Sequence, residues 1–206
     1  MPLVVDPAVH AIVTPHAFWL DGLVVREHDA RLEAPLAEAA ARAAAAAEQA
    51  EVTAAVRAMY RRFGVDPTKT RPSSEALLRR VRKGDPLPRV NSLVDVVNWC
   101  SLEFQLPYGV YDAARIQGPV TLRLGREGEE YAGIRKDTVH VAGRLVVADE
   151  AGPFGNPTSD SARTMVTPET TRALVVIFAP PGVGDGHVGR AAALTRERAA
   201  RFSGAI

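Results

Sequence analysis

In the first half of the chain, apolar positions recur with the spacing of helices. Residues 36–63 are rich in alanine, contain no glycine or proline, and are followed by Gly64, which is typical of the position after a helix. A second helical repeat begins after Pro72 and ends before Gly84. The pattern therefore predicts one long helix over 36–63 and a shorter one over about 73–83.

A third helix is predicted from Asn91 to about Gln105, and apolar side chains cover most of its circumference, as in a buried helix. Asn91, Asp95 and Asn98 form one narrow polar stripe on it. A buried polar group without a partner costs about 1–3 kcal/mol, so we expect Asp95 and Asn98 to be buried and hydrogen-bonded. The stripe either bridges neighbouring loops, with residues 107–112 returning to the same face, or borders a pocket.

The second half of the chain has the pattern of short strands. β-Branched runs separated by Gly, Asp or Pro turns predict strands over residues 120–124, 130–134, 144–148, 164–167 and 174–178. Residues 9–13 and 18–25 predict an N-terminal hairpin or a pair of short strands, and residues 182–189 predict a loop before a helix over 191–202. We expect a single α+β domain over 1–206, with helices first and a sheet second.

Composition narrows the class of protein. The chain is 47% hydrophobic and 24% charged, as globular proteins are. No run approaches the ~20 apolar residues of a membrane span, and the N-terminus has no secretory signal pattern. Cys100 is the single cysteine, which excludes a disulfide framework and a Cys-rich zinc site. We therefore expect a cytoplasmic protein with no membrane partner.

The net charge of +1 conceals a basic stretch. Between residues 57 and 89, ten Lys or Arg face three Asp or Glu. Such a stretch is typical of proteins that neutralise nucleic-acid phosphates. The alternative is that two helices carry solvated basic faces, with charges that also suit the helix dipole. The candidate tRNA-binding residues are Arg61, Arg62, Arg71, Arg79, Arg80, Arg82 and Lys83.

Local motifs for cofactors or catalysis are weak. Residues 184–189 fit G-x-G-x-x-G, but a dinucleotide site needs a further strand and an acid about 20 residues on, so we interpret the match as accidental. The five histidines show no metal-ligand spacing, and the sequence has no nucleophile elbow or phosphate loop. Cys100 on the buried helix is expected to be inert. We expect no metal and no cofactor, and the catalytic residues are unknown.

Five segments in a fixed order resemble the editing domain of the bacterial phenylalanyl-tRNA synthetase β subunit. They are VDVVN at 94–98, Pro107 with Asp112, GPVTLR at 118–123, DEAG at 149–152 and TPETT at 167–171. RPSSEALLRR at 71–80 is similar to free-standing relatives of that domain, and the resemblance covers 71–178. It implies helices packed on a layered mixed sheet or β-sandwich, and metal-free hydrolysis of wrongly charged tRNA by placement of substrate and water.

Under this resemblance the amino-acid pocket contains residues from several segments. The candidates are Asn91, Asp95, Asn98, Gly109, Asp112, Gly155, Asn156, Asp160 and Val176. Gly109 stands where the synthetase pattern has His, residues 155–158 (GNPT) replace a glycine pair, and Val176 stands near the Glu that reads the tyrosine hydroxyl. We therefore expect a wider entrance at Gly109 and a preference for an apolar amino-acid moiety, aliphatic or phenyl, over tyrosine.

Two functions of different classes follow. The first is a stand-alone trans-editing factor, an aminoacyl-tRNA deacylase that cannot charge tRNA because a synthetase's aminoacylation core and anticodon-binding domain do not fit this length. The second is a non-catalytic module that binds tRNA, an amino acid or a small ligand. A pocket that places polar groups within ~3 Å of both an ester carbonyl and a water would favour the first. The expected partner is aminoacylated tRNA, not DNA, and the oligomeric state is open.

Overall fold

The computed structural model describes residues 2–134 and 137–205. Across these residues the chain forms five α-helices and nine β-strands. The helices are α1 (Glu33–Ala45), α2 (Ala50–Arg62), α3 (Ser73–Arg82), α4 (Ser92–Phe104) and α5 (Asp185–Ser203). The strands are β1 (Leu3–Val5), β2 (Thr14–Leu20), β3 (Tyr108–Asp112), β4 (Val120–Leu124), β5 (Glu130–Ala132), β6 (Thr138–His140), β7 (Leu145–Asp149), β8 (Gly152–Gly155) and β9 (Ala173–Ala179).

A three-stranded antiparallel sheet in the order β2-β9-β3 lies at the centre of the molecule. All seven residues of β9 are buried. Because successive strand residues point to opposite faces, both faces of this sheet are covered. Helices α4 and α5 pack on the sheet, and inward residues of the second sheet, such as Leu122 and Phe154, belong to the same core. This layered arrangement confirms the expected α+β fold.

The second sheet has four strands in the order β1-β4-β7-β8. Strand β1 runs parallel to β4, and the other pairs are antiparallel. The small β5–β6 hairpin contributes Tyr131 to a cluster with Val146 of β7. Strand β8 of this sheet lies against the face of the central sheet that carries the side chain of Tyr111 in β3.

Helix α4 lies between two apolar cores, as its all-round apolar pattern predicts. Leu93 and Val97 face the main core, whereas Trp99 and Leu102 pack against α1 and α3 in a second core. Because opposite faces of α4 are buried in these two cores, no broad polar stripe is available on this helix.

The prediction of one helix over 36–63 is wrong. Helix α1 ends at Ala45, Ala46 is extended with φ −70° and ψ 150°, and α2 begins at Ala50. Leu36 of α1 packs in the second core and Val56 of α2 in the main core. The break between Ala45 and Ala50 lets α1 and α2 pack in different directions, each on its own core. Tertiary packing therefore overrides the high helix propensity of alanine.

Three other predicted elements are also wrong. The N-terminal hairpin does not form, because β2 pairs along its whole length with β9. Thr164 ends a short 3₁₀ helix (Ala162–Thr164), and residues 165–167 form no strand. Residues 185–189 are already part of α5 and do not form a loop. Strand β3, which the sequence did not predict, forms because its buried residues complete the edge of the central sheet.

Candidate amino-acid pocket and RNA-binding surface

Asn91 and Asp95 hold the start of α4 to neighbouring loops. The Asn91 side chain caps the helix by accepting from the Val94 backbone N–H at 3.0 Å, and its amide donates to the Val166 carbonyl at 3.2 Å. The Asp95 carboxylate is 2% exposed and accepts from the Val90 backbone N–H at 2.8 Å and from Arg89 at 2.7 Å. These bonds favour the bridging interpretation, with the bridged segments at 89–90 and 166 instead of at 107–112.

The polar stripe does not act as one unit. The expectation that Asp95 is buried and hydrogen-bonded is confirmed, but the same expectation for Asn98 is wrong. Asn98 is half-buried, and its side chain makes no hydrogen bond to any described residue. The reason is that the loops reach only the first turn and a half of α4, where Asn91 and Asp95 lie.

We expect Asp95→Ala to lower the free energy of unfolding by about 2–3 kcal/mol, because the Val90 backbone N–H and the Arg89 guanidinium lose their buried acceptor. Asn98→Ala, on the same helix, is the matched control and is expected to change stability by less than about 0.5 kcal/mol. Urea unfolding followed by circular dichroism measures both. Equal losses for the two variants would contradict the assignment of Asp95 as the bridging residue.

Asp112 fixes the TPETT segment at the end of β3. One carboxylate oxygen accepts from the Ala114 backbone N–H at 2.9 Å, and the other accepts from the Thr170 hydroxyl at 3.0 Å. The Thr170 hydroxyl also accepts from the Thr167 backbone N–H. Asp112 is therefore a positioning group for this loop, and its carboxylate is engaged by the chain itself.

The remaining candidates meet in one place, between the two sheets. Gly109 lies opposite Val176 in the β3–β9 register, and Gly155 and Asp160 form a bridge at the end of β8. The Tyr111 side chain fills the space among them. A Cβ added to Gly109 would overlap the Tyr111 hydroxyl, and one added to Gly155 would overlap its ring.

Tyr111 was not among the predicted site residues, because the two glycines that surround it lie on different strands and meet only in the folded structure. Its side chain is fully buried and packs edge-on against Phe154 with ring centroids 4.9 Å apart. Burial, followed by the nearby Asp160 carboxylate and Tyr131, holds the pKa of Tyr111 well above its usual value. The phenol is therefore neutral, and the wider entrance expected at Gly109 is wrong because Tyr111 takes up that space.

Asn156 organises the loop of residues 155–160. Its carbonyl oxygen accepts from the Thr158 and Ser159 backbone N–H groups at 2.8 and 2.9 Å, and its amide donates to the Tyr131 hydroxyl at 2.8 Å. Residues 155–157 are buried, whereas residues 158–160 are half-buried. The loop is thus the side of the cluster that solvent reaches.

The same loop is tied to both helices of the basic stretch. The Pro157 carbonyl accepts from the Tyr60 hydroxyl of α2 at 2.7 Å and from the Ser73 hydroxyl of α3 at 3.2 Å. Arg61 and Arg62 directly follow Tyr60 in the sequence. The fold therefore places the C-terminal end of α2 and the N-terminal end of α3 beside the predicted pocket.

Acids of the chain neutralise part of the basic stretch. Arg57 and Arg71 both contact Glu75, at 2.7 and 3.3 Å, and the Arg57 guanidinium, with Arg71, holds the pKa of Glu75 below its usual value. Arg89 pairs with Asp95. Arg71, a predicted tRNA-binding residue, is therefore also a structural partner of α3.

The other predicted tRNA-binding residues are exposed cations. Arg62, Arg80 and Arg82 each donate to a carbonyl oxygen, of Ala11, Pro86 and Ala46 respectively, which leaves their charge uncompensated. Arg79 and Lys83 lie one helical turn apart and make no side-chain hydrogen bond or ion pair to the described residues. These two side chains are the clearest candidates for phosphate contacts.

Several groups that could act as nucleophiles or bases are engaged elsewhere. Burial raises the pKa of the Cys100 thiol, which also contacts Arg198 at 3.3 Å. His28 and His140 pair with surface glutamates, and His187 bonds the Phe104 carbonyl. Gly186 and Gly189 of the G-x-G-x-x-G match lie within α5 and do not form a phosphate-binding loop.

Several clefts formed by the described residues lie outside the predicted pocket. One, of about 170 Å³, is lined by Ala43, Leu78 and Leu102 between α1, α3 and α4. Another lies beside Arg115 and Met165. Among the described residues, no group of three or more His, Cys, Asp or Glu could hold a metal, and no helix is long and apolar enough to cross a membrane.

The layered fold and the residues of the loop clusters define a domain of the kind found in phenylalanyl-tRNA synthetase β subunits. The B3/4 domain family matches residues 55–203, and the chain belongs to this family. The chain is similar to a solved N-terminal fragment of the phenylalanyl-tRNA synthetase β subunit from Pyrococcus horikoshii, with a TM-score of 0.55, 13% identity, and coverage of 98% of this chain and 49% of that one.

Curated relatives show the same similarity in sequence. The chain is 34% identical over 90 residues to the phenylalanine–tRNA ligase β subunit of Paramagnetospirillum magneticum, covering 37% of this chain and 11% of that protein. The Brucella abortus subunit is 34% identical over 90 residues, with 43% and 11% covered. The Haemophilus influenzae subunit is 35% identical over 77 residues, with 34% and 10% covered. The chain thus spans about a tenth of the length of these relatives.

Proposed function

We propose that the chain binds tRNA and hydrolyses the ester of mischarged aminoacyl-tRNA as a trans-editing deacylase. The observation that carries this proposal is the pair of hydrogen bonds that the basic helices α2 and α3 make to Pro157, in the loop of the predicted pocket. Phosphates bound by these helices would bring the acceptor end of a tRNA to residues 155–160. Membership of the B3/4 family and similarity to phenylalanine–tRNA ligase β subunits support a tRNA-related role.

In the proposed reaction, the protein catalyses ester hydrolysis by positioning the ester and a water. The half-buried polar side chains of residues 158–160 would hold the ester carbonyl and a water, and no covalent intermediate is needed. Such preorganised donors are worth about 10²–10³ in rate for each one removed. The neutral Cys100 thiol and the engaged histidines agree with a route that uses no side-chain nucleophile.

A second candidate function is a non-catalytic module that binds tRNA or an amino acid. The fully buried Tyr111 favours it, because this ring fills the space between Gly109 and Gly155. The two candidates make opposite predictions for ester loss.

We expect the purified chain to accelerate the loss of aminoacyl esters from at least one member of a panel charged with alanine, valine, isoleucine, phenylalanine and tyrosine. Acid-gel or radiolabel assays of remaining aminoacyl-tRNA measure the rate. Asn156→Ala, which removes the group that organises residues 155–160, is expected to lower the rate, and exposed Glu127→Ala serves as the control. Binding of tRNA with no ester loss in any member would support the non-catalytic module.

A further inference from the structure

The inner face of β3 carries the aromatic side chain of Tyr111 at the predicted amino-acid pocket. In an antiparallel sheet, Gly109, Tyr111 and the opposing Val176 point to the same face. That face meets Phe154 and Gly155 of β8. The Tyr111 ring therefore stands between the two sheets, with its hydroxyl over Gly109.

Two glycines make this placement possible. Any side chain at Gly109 would collide with the Tyr111 hydroxyl, and any at Gly155 would collide with the ring. Neither glycine has the positive φ that would require glycine for backbone reasons. Their lack of a Cβ is therefore explained by the space that the Tyr111 side chain needs.

The ring is also held firmly. The ring packs edge-on against Phe154 with centroids 4.9 Å apart, and the side chain is fully buried. Its movement is therefore restricted, because protein interiors are close-packed. Residues 158–160 are half-buried and border the solvent side of the cluster. A ligand that approaches from this side meets the Tyr111 side chain before it reaches Val176.

We infer that Tyr111 is the specificity-determining residue of the proposed site: its side chain occupies the amino-acid side-chain pocket, so the chain accepts aminoacyl groups with small side chains, glycyl and alanyl, and excludes phenylalanyl and tyrosyl groups. This inference rests on the proposed function for its substrate class. The inference narrows the preference predicted from Val176, from apolar amino acids in general to those with the smallest side chains.

The kinetic test compares alanyl and phenylalanyl esters on tRNA for the wild type, Tyr111→Phe and Tyr111→Ala. The wild type and Tyr111→Phe, which keeps the ring, are expected to cleave the alanyl ester with the higher kcat/KM. Tyr111→Ala is expected to raise kcat/KM for the phenylalanyl ester at least tenfold relative to that for the alanyl ester. Equal cleavage of both esters by the wild type, or an unchanged ratio in Tyr111→Ala, would overturn the inference.

A binding test separates this inference from hydrolysis. L-Phenylalaninamide and p-cresol are added to the wild type and to Tyr111→Ala, and the shift in Tm is measured. Stabilisation of Tyr111→Ala but not of the wild type by the amide supports the inference even if no ester is cleaved. Stabilisation by p-cresol alone, or by neither probe, overturns it, because the vacated space is then not a pocket open to an amino-acid backbone.

Folding is checked with a less severe variant. If Tyr111→Ala does not fold, Tyr111→Leu, which keeps an apolar side chain but opens the space over Gly109, replaces it in both tests with the same expected direction. If neither variant folds, Tyr111 is a core element of the sheet packing and the inference is overturned.

Discussion

Asp149→Ala is expected to lower the free energy of unfolding by about 3–5 kcal/mol, the loss typical of removing one partner from a buried ion pair. The Asp149 side chain is fully buried and pairs with Arg163 through both oxygens at 2.9 Å. It also accepts from the Gln117 and Ala151 backbone N–H groups. One substitution therefore leaves a guanidinium and two backbone donors without their acceptor. Chemical unfolding in urea measures the change.

Glu150→Ala is the matched control for Asp149. Glu150 is the next residue in the chain, and its side chain is exposed and makes no hydrogen bond to the described residues. We expect its loss to change stability by less than about 0.5 kcal/mol. A loss below about 1 kcal/mol for Asp149→Ala would show that water replaces the carboxylate at this site.

Reversing the charge of Arg79 and Lys83 together is expected to weaken tRNA binding about tenfold or more, because each phosphate contact is lost and replaced by repulsion. The slope of log K against log salt concentration is expected to fall by about one to two units. Both side chains are exposed and free of ion pairs to the described residues, so the fold keeps its internal bonds. Filter binding at several salt concentrations measures affinity and slope.

The control for this experiment changes the net charge by the same amount elsewhere. Arg144 and Arg190 are exposed and lie outside the basic stretch, so Arg144→Glu with Arg190→Glu should leave the salt slope nearly unchanged. Equal weakening by the two double variants would assign the effect to net charge. Unchanged binding in Arg79→Glu with Lys83→Glu would identify the basic face of α3 as a solvated surface.

The candidate site was only partly accessible to sequence reasoning. The resemblance grouped Gly109, Gly155, Asp160 and Val176, and the fold brings them together. Their common neighbour, Tyr111, could not be inferred from any one segment, because its environment consists of residues from β3, β8 and β9. The apparent loss of bulk at Gly109 is compensated by a side chain two positions along the same strand.

Sequence reasoning was also incomplete for the charges of the basic stretch. The sequence shows that residues 57–89 have an excess of positive charge. It does not show which of these charges are neutralised by ion pairs. Glu75 takes up Arg57 and Arg71, and Asp95 takes up Arg89. Arg79 and Lys83, by contrast, are exposed and form no ion pair with the described residues. Only the tertiary structure distinguishes the two sets.

Sequence by itself determined the elements whose signals are local. The all-round apolar pattern predicted α4, the β-branched run at residues 120–124 predicted β4, and the continuous apolar run at 174–178 predicted the core of β9. Periodicity and capping depend on residues within a few positions of one another, so they can be read along the chain. Tertiary structure alone decided the break after Ala45, the pairing of β2 with β9, and the position of Tyr111. Each of these depends on which distant surfaces become buried together, because burial is a property of the assembled core and not of any one segment.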